Sequence, residues 1–181
     1  MTVLNIPNTL TLIRIVIVPL FVIALLYGYY RAALALFVVA TLTDFLDGMI
    51  ARKTGQKTPL GAFLDPLADK VILLTSFIIF AYLKWIPKWL VIIVISRDLI
   101  LILGWVLLYI VYGTAKVEVL YLGKITIASQ FILIVYTLTS INFGPYVPQL
   151  PFEAFVVVGL ITTISGIQYI YRGLRPQHVQ Q

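Results

Sequence analysis

The sequence predicts an all-α integral membrane protein, with six transmembrane helices and a polar active site that faces the cytoplasm. Hydrophobic residues make up 61% of the 181 residues, and charged residues only 11%. A soluble domain carries about 25% charged residues, so a water-soluble globular protein is excluded. Apolar stretches of about 20 residues, the length that a helix needs to cross a bilayer, recur along the chain. The length suits one domain over residues 1–181.

The apolar stretches are separated by proline, glycine and charged residues, and each is an expected membrane span. They run near 9–28, 32–52, 60–83, 88–112, 121–142 and 152–172. No small-residue cleavage site follows the first stretch, so a cleavable signal peptide is not expected. The sequence has no internal repeat, which disfavours a transporter built from duplicated halves.

The distribution of basic residues predicts that both termini lie in the cytoplasm, because Lys and Arg concentrate in cytoplasmic loops. With the N-terminus inside, the cytoplasmic side holds Arg14, Arg52, Lys53, Lys57, Lys116, Lys124, Arg172 and Arg175. The opposite side holds Arg31, Lys84 and Lys88, whereas Lys70 and Arg97 fall within spans. The net charge of +6 is therefore assigned to loops and to contacts with anionic lipid, and nucleic acid is not an expected partner.

Five acidic residues fall in or beside the expected spans: Asp44, Asp47, Asp65, Asp69 and Asp98. A charge at the bilayer centre costs about 2.5–3.5 kcal/mol on insertion scales, so their presence indicates a function. The first two are three residues apart and the next two are four apart, so each pair shares one face of its helix. The short loop 53–60 joins the two helices into an antiparallel hairpin. Four carboxylates should therefore meet at one depth in the cytoplasmic leaflet.

Four clustered carboxylates require bound protons or bound cations, because they cannot all stay ionised without compensation. Carboxylate oxygens suit hard cations such as Mg²⁺, Mn²⁺ or Ca²⁺. Two divalent cations would balance the four charges, and paired metal sites serve phosphoryl transfer. At 1.5 Å per residue, Asp44 lies about 12 Å from Arg52 and Asp69 about 12 Å from Gly61. A lipid phosphate can reach that depth. The chain has no cysteine and one histidine, so other metal ligands are scarce.

Single aspartates of this group also have structural interpretations. Asp65 before Pro66 fits an N-cap followed by proline at the first helical position. Asp44 could form a buried ion pair with Arg52 or Lys70. These interpretations suit one residue each and do not account for four aspartates at this spacing.

A cation transporter or channel would also use carboxylates inside the membrane. Its acidic residues should line a path across the bilayer, whereas these four are confined to one leaflet. Transport also does not require the small residues Gly48, Ala51 and Gly61, which let a ligand or a helix approach the backbone closely. A divalent cation transporter is the alternative from a different functional class.

The segment 44–69 follows the pattern D-x2-D-G-x2-A-R-x8-G-x3-D-x3-D, which resembles the signature of the CDP-alcohol phosphotransferases, also called CDP-alcohol phosphatidyltransferases. Its fixed positions are Asp44, Asp47, Gly48, Ala51, Arg52, Gly61, Asp65 and Asp69. The opening at 5–14 and the ending at 165–172 resemble the branch of this family that makes phosphatidylglycerophosphate. The resemblance covers essentially the whole chain and is strongest at 5–70.

The resemblance implies a six-helix enzyme, usually a homodimer, in the bacterial cytoplasmic (inner) membrane, with its site open to the cytoplasm. Such enzymes move a phosphatidyl group from CDP-diacylglycerol to an alcohol and release CMP. By the same resemblance, the four aspartates would bind two divalent cations, Mg²⁺ or Mn²⁺, and Asp69 would be the general base on the acceptor hydroxyl. The residues that would line the CDP site are Asp44, Gly48, Ala51, Arg52 and Gly61.

Three basic residues are the candidates for binding an anionic acceptor: Arg97, Lys124 and Arg172. Arg97, about midway along its helix, would bind the acceptor phosphate or form a buried pair with Asp98 or a motif carboxylate. Lys124 and Arg172 could instead extend to the membrane interface. The triplet Ser96-Arg97-Asp98 resembles the cardiolipin-forming branch, whereas both chain ends resemble the phosphatidylglycerophosphate-forming branch. Glycerol 3-phosphate is therefore the favoured acceptor, and phosphatidylglycerol is the alternative.

Overall fold

The computed structural model describes the backbone at residues 6–54, 59–112 and 120–174, which form six α-helices and no β-strand. Side chains are described at 16–43, 70–104, 106, 107, 110 and 120–172. The helices are α1 Ile6–Leu26, α2 Tyr30–Thr54, α3 Pro59–Tyr82, α4 Lys88–Tyr112, α5 Tyr121–Asn142 and α6 Phe152–Leu174. Their bounds lie within a few residues of the expected spans, so the prediction of an all-helical chain with six helices is confirmed.

Three helix connections gather at one end of the bundle. They are 27–29, 83–87 and 143–151. The rings of Tyr30 and Trp85 meet edge to face with their centroids 5.2 Å apart. The side-chain amide of Asn142 donates a hydrogen bond of 3.0 Å to the carbonyl oxygen of Tyr30. Because consecutive helices run in opposite directions, the ends of α2 and α4 and the starts of α3 and α5 lie toward the other end.

Aromatic rings join α1, α2 and α5 in the core. The ring of Phe37 lies 5.8 Å from that of Phe21 and stacks at 5.5 Å on that of Phe131. Phe21 and Phe37 are fully buried, as are Ile134 and Leu138 on α5. Helices in lipid associate through van der Waals packing, so these closely packed rings and side chains hold the three helices against one another.

Among the described side chains, several polar groups are buried beside the apolar core, and many large apolar groups are exposed. Buried polar and charged residues are Ser76, Arg97, Thr126, Gln130, Thr137, Ser140, Thr162 and Ser165. Ile92, Leu103 and Ile110 are among the exposed apolar residues of α4, each at least 60% exposed. Several buried hydroxyls donate to the carbonyl four residues earlier, as Ser76 does to Ile72 at 2.7 Å. This distribution suits a helix bundle in lipid and supports the prediction of a membrane protein.

By length and composition, two helical segments of the described chain can cross a bilayer: Tyr121–Asn142 and Phe152–Arg172. Shorter apolar segments occur at Val16–Leu26, Tyr30–Thr43 and Lys70–Tyr82. These three lie within α1, α2 and α3 and belong to longer helices. Crossing by all six helices remains a prediction.

Glycines on α6 let α4 pack closely against it. A Cβ on Gly159 would lie 2.7 Å from the ring edge of Trp89. Seven residues further on, a Cβ on Gly166 would lie 3.4 Å from Cγ of Arg97. Small residues at such spacing allow two helix backbones to approach. The position of α4, and with it that of Arg97, therefore depends on α6.

We expect Gly159→Ala to destabilise the protein, because the added methyl would displace the ring of Trp89. Overpacking of this kind costs about 1–3 kcal/mol. Thermal unfolding in detergent measures the change. Gly104→Ala is the matched control, since nothing lies within 4 Å of a Cβ there. That control should be neutral or stabilising by up to about 1 kcal/mol, because alanine favours a helix over glycine. Equal effects of the two substitutions would contradict the close packing.

Candidate active site

The four aspartates of the motif lie in the second half of α2 and in the first half of α3. Asp44 and Asp47 lie on α2, and Asp65 and Asp69 lie on α3. Counted from the last residue of α2, Asp44 is about 15 Å and Asp47 about 10.5 Å along the axis. Counted from the first residue of α3, Asp69 is about 15 Å and Asp65 about 9 Å along it. The helices extend slightly further than the sequence predicted, and the two depths still match.

The side chains of these aspartates lie outside the described residues, as do the side-chain contacts of Gly48, Ala51, Arg52 and Gly61. Among the residues that the structure does describe, no group of three or more acidic or histidine side chains could hold a metal ion. The assignment of the motif to metal and CDP binding therefore stays a prediction, as does the role of Asp69 as base.

The described part of the site is a buried charge cluster that begins one residue after Asp69. Arg97 is 5% exposed, and its Nη1 donates to Oδ1 of Asp98 at 2.7 Å. Nζ of Lys70 contacts the same oxygen at 3.3 Å. One carboxylate thus accepts from two cations and joins α3 to α4. The buried pair with Asp98, one of the two interpretations of Arg97 from sequence, is present.

A second group of residues, on α6, faces the guanidinium of Arg97. Nη2 donates a long hydrogen bond of 3.5 Å to Oγ of Ser165. Cζ of the guanidinium lies 5.7 Å from the ring centroid of Tyr169, within cation–π range. Nε is buried and has no hydrogen-bond partner among the residues whose side chains the structure describes. An unsatisfied buried donor on a charged group is costly, so this N–H would gain from an anionic acceptor.

Tyr169 also contacts the start of α5. Its hydroxyl accepts a hydrogen bond of 3.1 Å from the backbone N–H of Leu120. A Cβ on Gly123 would lie 2.6 Å from the same hydroxyl oxygen, so glycine is needed at this position for the tyrosine to fit. Tyr169 therefore packs between Arg97 of α4 and the first turn of α5.

The other two predicted acceptor residues lie on helices that this tyrosine joins. Lys124 is exposed in the first turn of α5, directly after Gly123. Arg172 is exposed in the last turn of α6, three residues after Tyr169. Lys124 is thus the sequence neighbour of a residue that contacts Tyr169, and Arg172 lies about one turn after Tyr169 on α6. Their binding to an acceptor remains a prediction.

Sequence reasoning did not identify Ser165 and Tyr169 as contacts of Arg97. They are four residues apart on α6, and Gly166 lies between them, so helical spacing already places them on one side of that helix. This polar and aromatic stripe within an apolar helix was an available signal. Its pairing with Arg97 depends on how α6 packs on α4, and a single sequence does not give that packing.

A family model described as CDP-alcohol phosphatidyltransferase matches residues 4–166 of the chain. The chain belongs to the CDP-alcohol phosphatidyltransferase family. The match includes the whole aspartate motif and the residues that surround Arg97 on α4 and Ser165 on α6. The resemblance predicted from the motif is confirmed, and the chain is a phosphatidyltransferase enzyme of phospholipid biosynthesis. Membership in this family disfavours the cation transporter.

Three relatives of this chain carry three different names. A protein of Mycobacterium tuberculosis, named probable phosphatidylglycerophosphate synthase, is 34% identical over 94% of this chain and 82% of that protein. A Bacillus subtilis protein named CDP-diacylglycerol–glycerol-3-phosphate 3-phosphatidyltransferase is 34% identical over 91% and 93%. A rat protein named cardiolipin synthase (CMP-forming) is 35% identical over 97% of this chain and 63% of that protein.

Proposed function

We propose that this chain transfers a phosphatidyl group from CDP-diacylglycerol to sn-glycerol 3-phosphate, giving phosphatidylglycerophosphate and CMP. The observation that carries the proposal is the set of four aspartates at matched depths on α2 and α3. The names of the bacterial relatives, which specify these two substrates or this product, support the same acceptor. The buried guanidinium of Arg97, whose Nε has no partner within the described part of the chain, would supply a binding group for a phosphate.

The four aspartates of the motif fit two divalent cations, Mg²⁺ or Mn²⁺. Their carboxylates offer hard oxygen ligands and balance four positive charges. Asp44, Asp47, Asp65 and Asp69 would hold the ions. When bound, these ions would neutralise the pyrophosphate of the donor and stabilise the departing CMP.

The residues of the chain supply binding, orientation and proton transfer. Asp69 takes the proton of the acceptor hydroxyl as that oxygen attacks the β-phosphorus of CDP-diacylglycerol. A new phosphorus–oxygen bond forms to the acceptor, and the bond from the β-phosphorus to the bridging oxygen breaks, which releases CMP. Gly48, Ala51, Arg52 and Gly61, together with Asp44, would form the CDP site. The small residues leave room for the nucleotide near the backbone.

The acceptor phosphate would bind Arg97, with Lys124 and Arg172 as further cations. Arg97 alone of the three is buried, so its interaction with an anion is the least screened by water. Asp98 already compensates its charge through Nη1, and Nε, which meets no acceptor among the described side chains, would be a donor toward the acceptor phosphate. Lys70, which contacts Asp98, directly follows Asp69 and so links this group to the aspartate motif along α3.

The site faces the cytoplasm in this proposal, and all six helices cross a bacterial inner membrane with both termini inside. Support comes from the positions of Arg31, Lys84 and Lys88, which lie at or beside the end where three connections gather. The aspartates lie toward the opposite end, on the cytoplasmic side by the rule that basic loops stay inside. The chain acts as one domain, contacts membrane lipids and forms a homodimer, as the family resemblance implies.

Phosphatidylglycerol is the second candidate acceptor, which would make the chain a cardiolipin synthase. Two observations favour it: the triplet Ser96-Arg97-Asp98 resembles that branch, and the rat relative carries that name. Both reactions share the phosphatidyl donor and the leaving group. They differ only in the alcohol that enters the site.

A panel of acceptors distinguishes the two reactions and tests the proposed function. Purified protein with CDP-diacylglycerol and Mg²⁺ or Mn²⁺ receives glycerol 3-phosphate, phosphatidylglycerol, inositol phosphate or serine, and CMP release is measured. We expect CMP release with glycerol 3-phosphate and with none of the other three acceptors. Release with phosphatidylglycerol alone would establish the second candidate. Cation flux in liposomes without CMP release under any condition would contradict enzymatic function.

We expect Arg97→Ala to raise the KM for glycerol 3-phosphate, because it removes the buried guanidinium that would bind the acceptor phosphate. Loss of a hydrogen bond to a charged group costs about 1.5–3 kcal/mol, which is about a 10- to 100-fold rise. Steady-state kinetics with each substrate varied in turn measure it, and the KM for CDP-diacylglycerol should stay nearly constant. An unchanged acceptor KM would leave Arg97 with a structural role only.

A further inference from the structure

We propose that Tyr169 is a positioning residue that fixes the guanidinium of Arg97 for the acceptor phosphate, a role that rests on the function proposed above. Its aromatic ring faces the guanidinium of Arg97 on α4, and its hydroxyl contacts the start of α5. No substrate contact is assigned to Tyr169 itself. It acts by setting where the cation of Arg97 lies and how it is oriented.

The hydrogen bonds of Arg97 alone do not fix the guanidinium relative to α6. The short bond from Nη1 goes to Asp98, the next residue on the same helix. The bond from Nη2 to Ser165, which does reach α6, is long at 3.5 Å. The ring of Tyr169, with its centroid 5.7 Å from Cζ, is a further contact of this buried cation on the described face of α6. Cation–π attraction is strongest when the cation is removed from water, as Arg97 is.

The hydroxyl of Tyr169 fixes the ring from the other side. Leu120 precedes the first residue of α5 and has no side-chain group to cap the helix. Its backbone N–H donates instead to the tyrosine hydroxyl, at 3.1 Å. Gly123, one turn further along, leaves the space that this hydroxyl fills, since a Cβ there would approach it to 2.6 Å. The ring therefore cannot shift away from Arg97 without losing a hydrogen bond on α5.

This arrangement also couples two of the proposed acceptor cations. Lys124 directly follows Gly123, whose close approach to Tyr169 fixes the first turn of α5. Arg97 contacts the opposite part of the same tyrosine. Tyr169 thus contacts both the buried guanidinium and the turn of α5 that carries Lys124.

The test is the acceptor KM of two variants at this position. Tyr169→Leu removes both the ring and the hydroxyl, and we expect the KM for glycerol 3-phosphate to rise about tenfold, between the effects of losing an exposed and a desolvated cation–π contact. Tyr169→Phe keeps the ring and loses the hydroxyl, so the rise should be smaller, about threefold to fivefold. In both variants kcat and the KM for CDP-diacylglycerol should remain within about twofold, because the aspartate motif is unchanged.

A third variant approaches the same tyrosine from α5. Gly123→Ala should raise the acceptor KM while both Arg97 and Tyr169 stay unsubstituted, because the new methyl would displace the hydroxyl of Tyr169. Tyr121→Leu, at a tyrosine that is 78% exposed beside Leu120, is the matched control for Tyr169→Leu. Gly104→Ala is the control for the glycine substitution, since a Cβ there meets nothing within 4 Å. Both controls should keep the wild-type KM values.

The outcomes separate this proposal from the proposed function. Wild-type protein that uses phosphatidylglycerol and not glycerol 3-phosphate overturns the proposed acceptor, and the role of Tyr169 toward it falls as well. Wild-type protein that uses glycerol 3-phosphate, with an unchanged acceptor KM in Tyr169→Leu, overturns the positioning role alone. A lower kcat together with similar rises in both KM values would also overturn the positioning role, if Tyr169→Phe lowers the thermal stability as well. That pattern would mean that Tyr169 only contributes to packing.

Discussion

Replacing Asp69 by asparagine should abolish phosphatidyl transfer while leaving most CDP-diacylglycerol binding intact. The amide keeps the size of the side chain and cannot accept the proton of the attacking hydroxyl. General base catalysis raises a reaction rate by about 10²–10⁴-fold, so kcat should fall by at least about 10²-fold. CMP release measures the rate, and equilibrium binding of labelled CDP-diacylglycerol measures the retained affinity. Three other motif aspartates remain to hold the donor in this variant.

The control for this substitution is Glu153→Gln, which removes an exposed carboxylate in the first turn of α6, toward the other end of the bundle. Its kinetic constants should match those of the wild type. Full activity in Asp69→Asn would exclude Asp69 as the base. Loss of binding in proportion to loss of turnover would instead assign Asp69 to holding the ions or the donor.

Removal of divalent cations should abolish activity, and addition of Mg²⁺ or Mn²⁺ should restore it. Without the ions, four carboxylates near one another repel, and the pyrophosphate of the donor has no counter-charge. The expected loss is at least about 10²-fold, since charge stabilisation of this kind is worth several kcal/mol. CMP release after treatment with a chelator, followed by titration of each cation, measures the effect. Undiminished activity after complete chelation would contradict the two-metal proposal.

A binding measurement tests the same site without turnover. A cation at about 100 times its Kd stabilises a folded protein by about 2.7 kcal/mol if the unfolded chain does not bind it. Thermal unfolding with and without Mg²⁺ or Mn²⁺ should therefore show a shift in the wild type. Asp44→Asn or Asp65→Asn should reduce that shift, whereas Glu153→Gln should keep it. A shift that is equal in all four proteins would place the bound cation elsewhere.

The helices were predictable because each is bounded by residues that interrupt a helix or by charges. Gly28, at φ 78°, follows α1, and Pro87 precedes α4, so the boundaries near them could be read locally. The end of α2 and the start of α3 were harder to predict, because the polar residues between Arg52 and Gly61 can continue a helix as well as end it. α2 extends to Thr54 and α3 begins at Pro59. Asp44 and Asp69 therefore lie about 15 Å from these helix ends, whereas the sequence placed them about 12 Å from Arg52 and Gly61.

The family and its motif were also predictable, because eight fixed positions lie within one short segment. The contacts of Arg97 were predictable only in part. Its pairing with Asp98 involves adjacent residues, so it could be stated as one of two alternatives. Its contact with Tyr169, 72 positions later in the sequence, is a product of packing between α4 and α6. No local pattern in the sequence encodes which faces of two distant helices meet.

The seven-residue interval between Gly159 and Gly166 carries an evolutionary consequence. Each glycine accommodates one large side chain of α4, Trp89 in one case and the stem of Arg97 in the other. Homologues that enlarge position 159 should therefore carry a smaller residue at position 89. A Cβ at position 166 would meet the stem of Arg97 at 3.4 Å, an ordinary contact, so alanine should be tolerated there and only larger side chains should displace the arginine. Coupled substitution at positions 159 and 89, with a small residue kept at position 166, would be the record of this interface across the family.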